Sequence, residues 1–254
     1  MALTWSGRRQ FLYSGVGAVI IFILLLVVYQ TFFTAPSTCF DGKQNGSETG
    51  VDCGGTSCSL VCAATAHAPI VEWARAFVVN PGVYNVVAYV KNNNIGAGAR
   101  GVPYSFSLYD KNNILVGHRE GVADIPPLQT VPITEANIFV GTSIVARTLF
   151  EFTSEPPATW NKVPQGSYLL LTTSQPTHTA DYSKLSATLV NNNVAEVKNV
   201  TVIAILYDRD NVAIATSRSL VPRVAGKASE PLVFTWPQGV SGVIRSEIIV
   251  LPSF

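Results

Sequence analysis

The chain has 254 residues, 48% of them hydrophobic and only 13% charged, with a formal net charge of +1 and a mean hydropathy of +0.29. Such hydrophobicity excludes an intrinsically disordered chain, which needs few apolar residues and a high net charge. Near-neutrality without a basic stripe excludes a nucleic-acid partner, and the single long apolar run excludes a polytopic membrane protein.

That run, Phe11 to Phe33, carries no charge. As a helix it would measure about 34 Å, enough for a ~30 Å hydrocarbon core. Tyr13 at one end and Tyr29, Phe32 and Phe33 at the other suit the two interfaces. Arg8 and Arg9 precede it, and the next basic residue is Lys43. The positive-inside rule therefore predicts a cytoplasmic segment 1–10, a single-pass helix 11–33 in the cell membrane, and an extracytoplasmic remainder. A cleaved signal peptide is the alternative. Its apolar region is ordinarily shorter, and no clean A-x-A cleavage site follows, so the expectation is an uncleaved anchor with the membrane as its partner.

Cys39, Cys53, Cys58 and Cys62 are the four cysteines, all within the segment 39–62. An even, clustered set outside a membrane predicts disulfides, with three pairings open. So short a segment buries little apolar surface and depends on covalent staples for its order. Zinc is the weaker alternative, since no C-x2-C pair is present. Between the cysteines, Asp41, Asn45, Glu48 and Asp52 supply side-chain oxygens among turn-permitting glycines, which makes them candidate calcium ligands. The stretch from Asp41 to Asp52 has the length of an EF-hand loop, but Lys43 stands at its third place and Asp, not Glu, at its last. A disulfide knot with solvated turns is the other reading of the same residues. Cys39, Asp41, Gly42, Asn45, Gly46, Glu48, Thr49, Asp52, Cys53, Gly54 and Gly55 match the pattern C-x-D-G-x-x-N-G-x-E-T-x-x-D-C-G-G. The segment thus resembles a cysteine-rich motif of exported bacterial proteins, which implies export and no particular activity.

The remainder reads as one module written twice. Ala88 to Asn94 (AYVKNNN) recurs as Ala187 to Asn193 (ATLVNNN), Leu108-Tyr109-Asp110 as Leu206-Tyr207-Asp208, Pro132-Ile133 as Pro231-Leu232, and Arg147 as Arg245. The halves are 66–153 and 167–254, and the Pro-rich stretch 154–166 between them predicts a short stiff linker. In the first half Val102, Tyr104, Phe106 and Leu108 alternate with Pro103, Ser105, Ser107 and Tyr109, the period of a strand with one buried face. Asp110 to Asn113 and the Asn triplets supply turns. Short strands punctuated in this way, without helical periodicity after residue 34, predict an antiparallel sandwich. The expected fold is all-β: two tandem immunoglobulin-like sandwiches after a transmembrane helix and a small disulfide-rich segment. Neither half contains the cysteine pair of true immunoglobulin domains.

Phe106-Ser107-Leu108-Tyr109-Asp110 resembles the signature of the FxLYD family, small immunoglobulin-like domains of bacterial and archaeal surface proteins with no assigned activity. In the second half Ala204 replaces the Phe, which implies a different core filling within the same fold. The whole arrangement resembles membrane-anchored proteins of candidate-phylum bacteria.

The halves differ on one strand. Ile203 and Ile205 stand where the first half has Ser105 and Ser107, so this strand is apolar on both faces. That pattern predicts a contact surface covered by the first half or by a protein partner on the outer side, with cover by the domain's own loops as the alternative. His67, His118 and His178 fall in no metal-binding pattern, and no nucleophile elbow, phosphate loop or dinucleotide fingerprint occurs. Asp110 and Asp208 read as turn openers. Asn45-Gly-Ser47 and Asn199-Val-Thr201 fit the glycosylation acceptor pattern. No catalytic residue is predicted. The expectation is a non-catalytic surface protein, acting as stalk, adhesin or binding module. An accessory subunit of a cell-envelope complex and a surface hydrolase with a dispersed site are the alternatives.

Overall fold

The computed structural model describes residues 5–32, 39–154, 159–163 and 170–251. They divide into two units, 1–58 and 59–254. In the first, α1 covers Trp5–Phe32, and its stretch Gln10–Gln30 is long and apolar enough to cross a membrane. Apolar residues occupy every face of it, and Phe11, Ile21, Leu24 and Val28 are all exposed. A helix apolar all round, with no protein covering it, is suited to lipid rather than to water. Phe33 lies outside the described residues. Cys39 is bonded to Cys58 with their Cα atoms 5.5 Å apart. Cys53 and Cys62 are disulfide-bonded as well, so no cysteine is free.

The second unit is antiparallel β-structure. In chain order it contains β1 (Ile70–Asn80), β2 (Val83–Lys91), β3 (Ala97–Tyr109), β4 (Leu115–Ile125), β5 (Thr130–Phe139), β6 (Arg147–Phe152) and β7 (Asn161–Lys162). Then follow β8 (Leu171–Thr173), β9 (Thr177–His178), β10 (Lys184–Asn191), β11 (Val197–Tyr207), β12 (Ala213–Val224), β13 (Ser229–Thr235) and β14 (Arg245–Val250). Sheet β1-β2-β5 packs on sheet β4-β3-β6, and sheet β8-β10-β13 on sheet β12-β11-β14. The strand order is the same in both sandwiches. The fold is all-β with one apolar helix.

Strand alternation builds each core. Val86, Ala88 and Val90 of β2 meet Tyr104, Phe106 and Leu108 of β3, with Phe106 edge-on to Phe150 at 4.9 Å between ring centroids. In the second sandwich Leu185 and Leu189 of β10 meet Val202, Ala204 and Leu206 of β11. Ala204 takes the place of Phe106, and aromatic bulk comes from the facing sheet: Phe234 and Trp236 are buried. The Trp236 indole N–H donates to the Thr216 carbonyl at 3.1 Å.

The Asn triplets do more than turn the chain. Asn92 is buried; its Nδ2 donates to the carbonyls of Ala97 and Pro126, both at 2.8 Å, and its Oδ1 accepts the Asn94 N–H at 2.8 Å. Asn191 repeats this, donating to the carbonyls of Ala195, Val224 and Ala225 and accepting the Asn193 N–H. One amide thus satisfies main-chain groups from two crossings between sheets, which would otherwise be buried without partners. The Asp residues open turns alike: Asp110 Oδ1 accepts the N–H groups of Asn112 and Ile114, and Asp208 Oδ1 those of Asp210 and Val212.

Part of the Pro-rich stretch is built into the first sandwich. Trp160 is buried in its core, β7 pairs with β3 at Ala97 and Gly98, and the Val61 N–H donates to the Trp160 carbonyl at 2.9 Å. Burying an indole here outweighs the extended, solvated state its prolines favour. Residues 155–158 and 164–169 lie outside the described residues.

Candidate functional site

The outer faces of β2 and β11 meet. Even-numbered residues of β11 fill the second core, so Ile203, Ile205 and Tyr207 project the other way; on β2 the outward pair is Val87 and Tyr89. Ile203, Ile205, Tyr207 and Ala213 form a third apolar cluster with Phe77 and Val87, flanked by Trp73, Tyr89, Ile249 and Leu251. Ile203, Ile205 and Val87 are 0% exposed. Each such aliphatic side chain contributes about 1.5–3 kcal/mol when removed from water.

A polar and aromatic series crosses the same junction. The Arg245 guanidinium lies 3.8 Å from the Tyr207 ring centroid, and the Tyr207 hydroxyl donates to the Tyr89 hydroxyl at 3.3 Å. Tyr89 stacks on Trp73 at 4.6 Å, and Arg75 donates to the Ala213 carbonyl at 3.4 Å. Burial, then the hydrogen bond to Tyr207, holds the Tyr89 phenol well above its ordinary range. Burial likewise raises Tyr207. Both phenols are therefore neutral at any physiological pH, with Tyr207 donating and Tyr89 accepting.

Beside the junction a groove of about 490 Å³ opens between β4 and β5 of the first sandwich and β11 and β12 of the second. Tyr104 donates its hydroxyl to Glu135 Oε1 at 2.8 Å. Burial first, and Glu135 second, push this phenol up. The pair needs Gly121 beneath it: a Cβ there would lie 2.5 Å from the Tyr104 hydroxyl and 2.9 Å from Glu135 Oε1. Asp124 Oδ1 accepts the Gly101 N–H at 2.9 Å. Asn199 also lines the groove; it has φ +54°, a left-handed conformation that asparagine tolerates, and the register of β11 with β12 runs past it unshifted.

The four oxygen-bearing residues of the cysteine-rich loop do come together, around the loop's own donors. Asp52 accepts the N–H groups of Asp41 and Gly42, both at 2.9 Å. Glu48 Oε2 accepts those of Asn45 and Asp52 at 3.2 and 3.3 Å, and Asp41 Oδ2 accepts Asn45 Nδ2 at 2.9 Å. A calcium ion would compete with these bonds for the same lone pairs. Asn45 Oδ1 is the buried side-chain oxygen without a partner among the described residues. Cys39, Glu48 and Cys58 place ligand-type atoms within 4.8 Å of one another, yet both sulfurs belong to one disulfide and neither is a thiolate, the form that binds metal.

One constellation escaped the sequence reading. Ser107 Oγ lies 3.2 Å from His118 Nδ1, and His118 Nε2 lies 3.3 Å from Glu120 Oε1. Ser107 pairs with His118 across β3 and β4, and Glu120 follows on the same face of β4. The clue was His-x-Glu on one strand, but only the register brings Ser107 opposite. Hydrolysis at a serine also needs donors aimed at the developing oxyanion and a water-excluded site. Here β3 is paired on both sides, and the His118 and Glu120 side chains are 44% and 74% exposed. Of the other histidines, His67 exchanges two main-chain bonds with the Asn94 amide, and His178 stacks on Tyr182 at 3.9 Å.

No protein-family model matches this chain, and no curated protein matches it.

Proposed function

We propose that the chain is a membrane-anchored protein of the cell surface whose two sandwiches form one stiff, non-catalytic arm, a stalk or a binding module. The apolar cluster shared by the two sandwiches carries this reading. With Ile203, Ile205, Phe77 and Val87 sealed from water, separating the sandwiches would expose apolar surface, so they move as one body. Helix α1, apolar on every face, supports a tether. Oxidation of all four cysteines supports an extracytoplasmic address, where disulfides persist. Arg8 and Arg9, just ahead of the helix's apolar stretch, support a cytoplasmic N-terminus. The resemblance to FxLYD domains and the twofold use of the same Asn and Asp turns support a duplicated surface module. The accessory-subunit reading would have to dock through the apolar helix or another face, because the apolar face of β11 is already covered from within the chain.

Protease applied to intact cells, followed by an alkaline carbonate wash of the membranes, tests the proposal. The expected result is loss of a C-terminal tag to the protease and retention of untreated chain in the washed membranes. A tag protected in intact cells, or a chain released by carbonate, would overturn it.

A further inference from the structure

The groove beside the junction has walls of an uncommon kind. Five consecutive residues of β5, 131–135, and three of β4, 122–124, line it. Successive side chains of a strand point to opposite faces, so consecutive residues border one space only when the strand's edge faces it. β5 pairs with β2 and β4 with β3, and each stands at the edge of its sheet. Main-chain donors and acceptors therefore border the groove, and an extended peptide is the ligand that answers them. Pro132 has no N–H, which limits such pairing to a short stretch.

The side chains agree in type. Arg218, the one cation lining the groove, makes no ion pair or hydrogen bond with any described residue, and a guanidinium matches a carboxylate in two parallel bonds. Glu135 and Asp124, each held by a donor from its own sandwich, are anchored acceptors for amide or ammonium N–H groups. Val122 and Leu251 supply an apolar wall. The volume, about 490 Å³, lies within the range of small-ligand sites. We propose that this groove binds a short peptide with a free C-terminal carboxylate, the carboxylate on Arg218, the main chain along the edges of β4 and β5, and an apolar side chain on the wall. The proposal does not depend on the membrane tether.

The test is calorimetric titration of the full chain, in detergent, with the tripeptide alanyl-leucyl-alanine and with its C-terminal amide. Saturable binding of the acid is expected, with the amide weaker by about tenfold or more, the worth of a charge-assisted pair. Arg218→Ala, at an exposed position, should weaken the acid by the same factor and abolish the preference for acid over amide. Gly121→Val, which drives a side chain into the Tyr104–Glu135 pair, should remove binding altogether. Absence of saturable binding to the unaltered chain would overturn the proposal. So would equal affinity for acid and amide, or affinity unchanged in Arg218→Ala.

Discussion

Strands β3 and β11 hold the same place in the two sandwiches and fill their cores by the same alternation, yet their outer faces have opposite fates. On β3 the outward residues are Ser105, which is itself buried, and the half-buried Ser107, beside which His118 and Glu120 meet water. On β11 they are Ile203 and Ile205, and water is excluded. The complementary contrast runs between β2, whose outward Val87 and Tyr89 receive those isoleucines, and β10, whose outward positions are Ser186 and Thr188. Two outward positions on each partner strand decide whether a sandwich docks, and the fold beneath does not change. Because the contact joins unlike faces, it is of the head-to-tail kind that can propagate to further copies. The polar faces left at either end stop it at two, as capping repeats do in solenoids.

The largest effect is expected from erasing the difference. Ile203→Ser together with Ile205→Ser should lower unfolding stability by about 4 kcal/mol or more, given 2–5 kcal/mol for each large-to-small core change. Small-angle scattering should then show the sandwiches moving independently; an unchanged denaturation midpoint would break the comparison. Next is Asn191→Ala, which strands several buried carbonyls and should cost about 3 kcal/mol. Asn92→Ala should cost a similar amount, because this staple belongs to both sandwiches; chemical denaturation measures each. Smaller again is Tyr207→Phe, which removes the bond to Tyr89 and should cost about 1 kcal/mol. Tyr109→Phe on the open face should cost nothing measurable. The reverse exchange at the half-buried position, Ser107→Ile, should leave stability within about 1 kcal/mol but induce self-association, visible by sedimentation.

The smallest effect separates two turns. β1 and β2 are joined by Pro81-Gly82, whereas Asp181 orders the turn before β10. The Ser183 N–H, with the Thr179 and Ser183 hydroxyls, lowers its carboxyl from 3.8 to about 2. A depressed carboxyl stabilises above its unfolded value, so this contribution is complete above about pH 4 and fades as pH falls through about 2. Carbon-13 NMR should find Asp181 titrating near 2, and higher but still below its ordinary value in Ser183→Gly, which removes the hydroxyl and keeps the main-chain N–H.

Much of this was legible along the chain. Period two over residues 102–109 placed Phe106 and Leu108 in a core, and the two-sided apolar run of β11 marked Ile203 and Ile205 as covered. What covers them was not legible, because Phe77 and Val87 read alone as ordinary strand residues. The Asn triplets looked like turns, since a buried amide bridging two crossings is a tertiary fact. Trp160 hid among prolines that signal a linker. The Ser107–His118 and Tyr104–Glu135 contacts depend on register or on packing between sheets, which one-dimensional spacing does not contain.

Pro132 on β5 and Pro231 on β13 sit at matching places on edge strands, opposite Tyr89 and Thr188. Each interrupts the row of donors that a neighbouring chain would need to zip onto that edge. Molecules brought close together would then slide past one another without seeding a continuous sheet. Two prolines confer tolerance of crowding on a protein whose low charge offers little mutual repulsion.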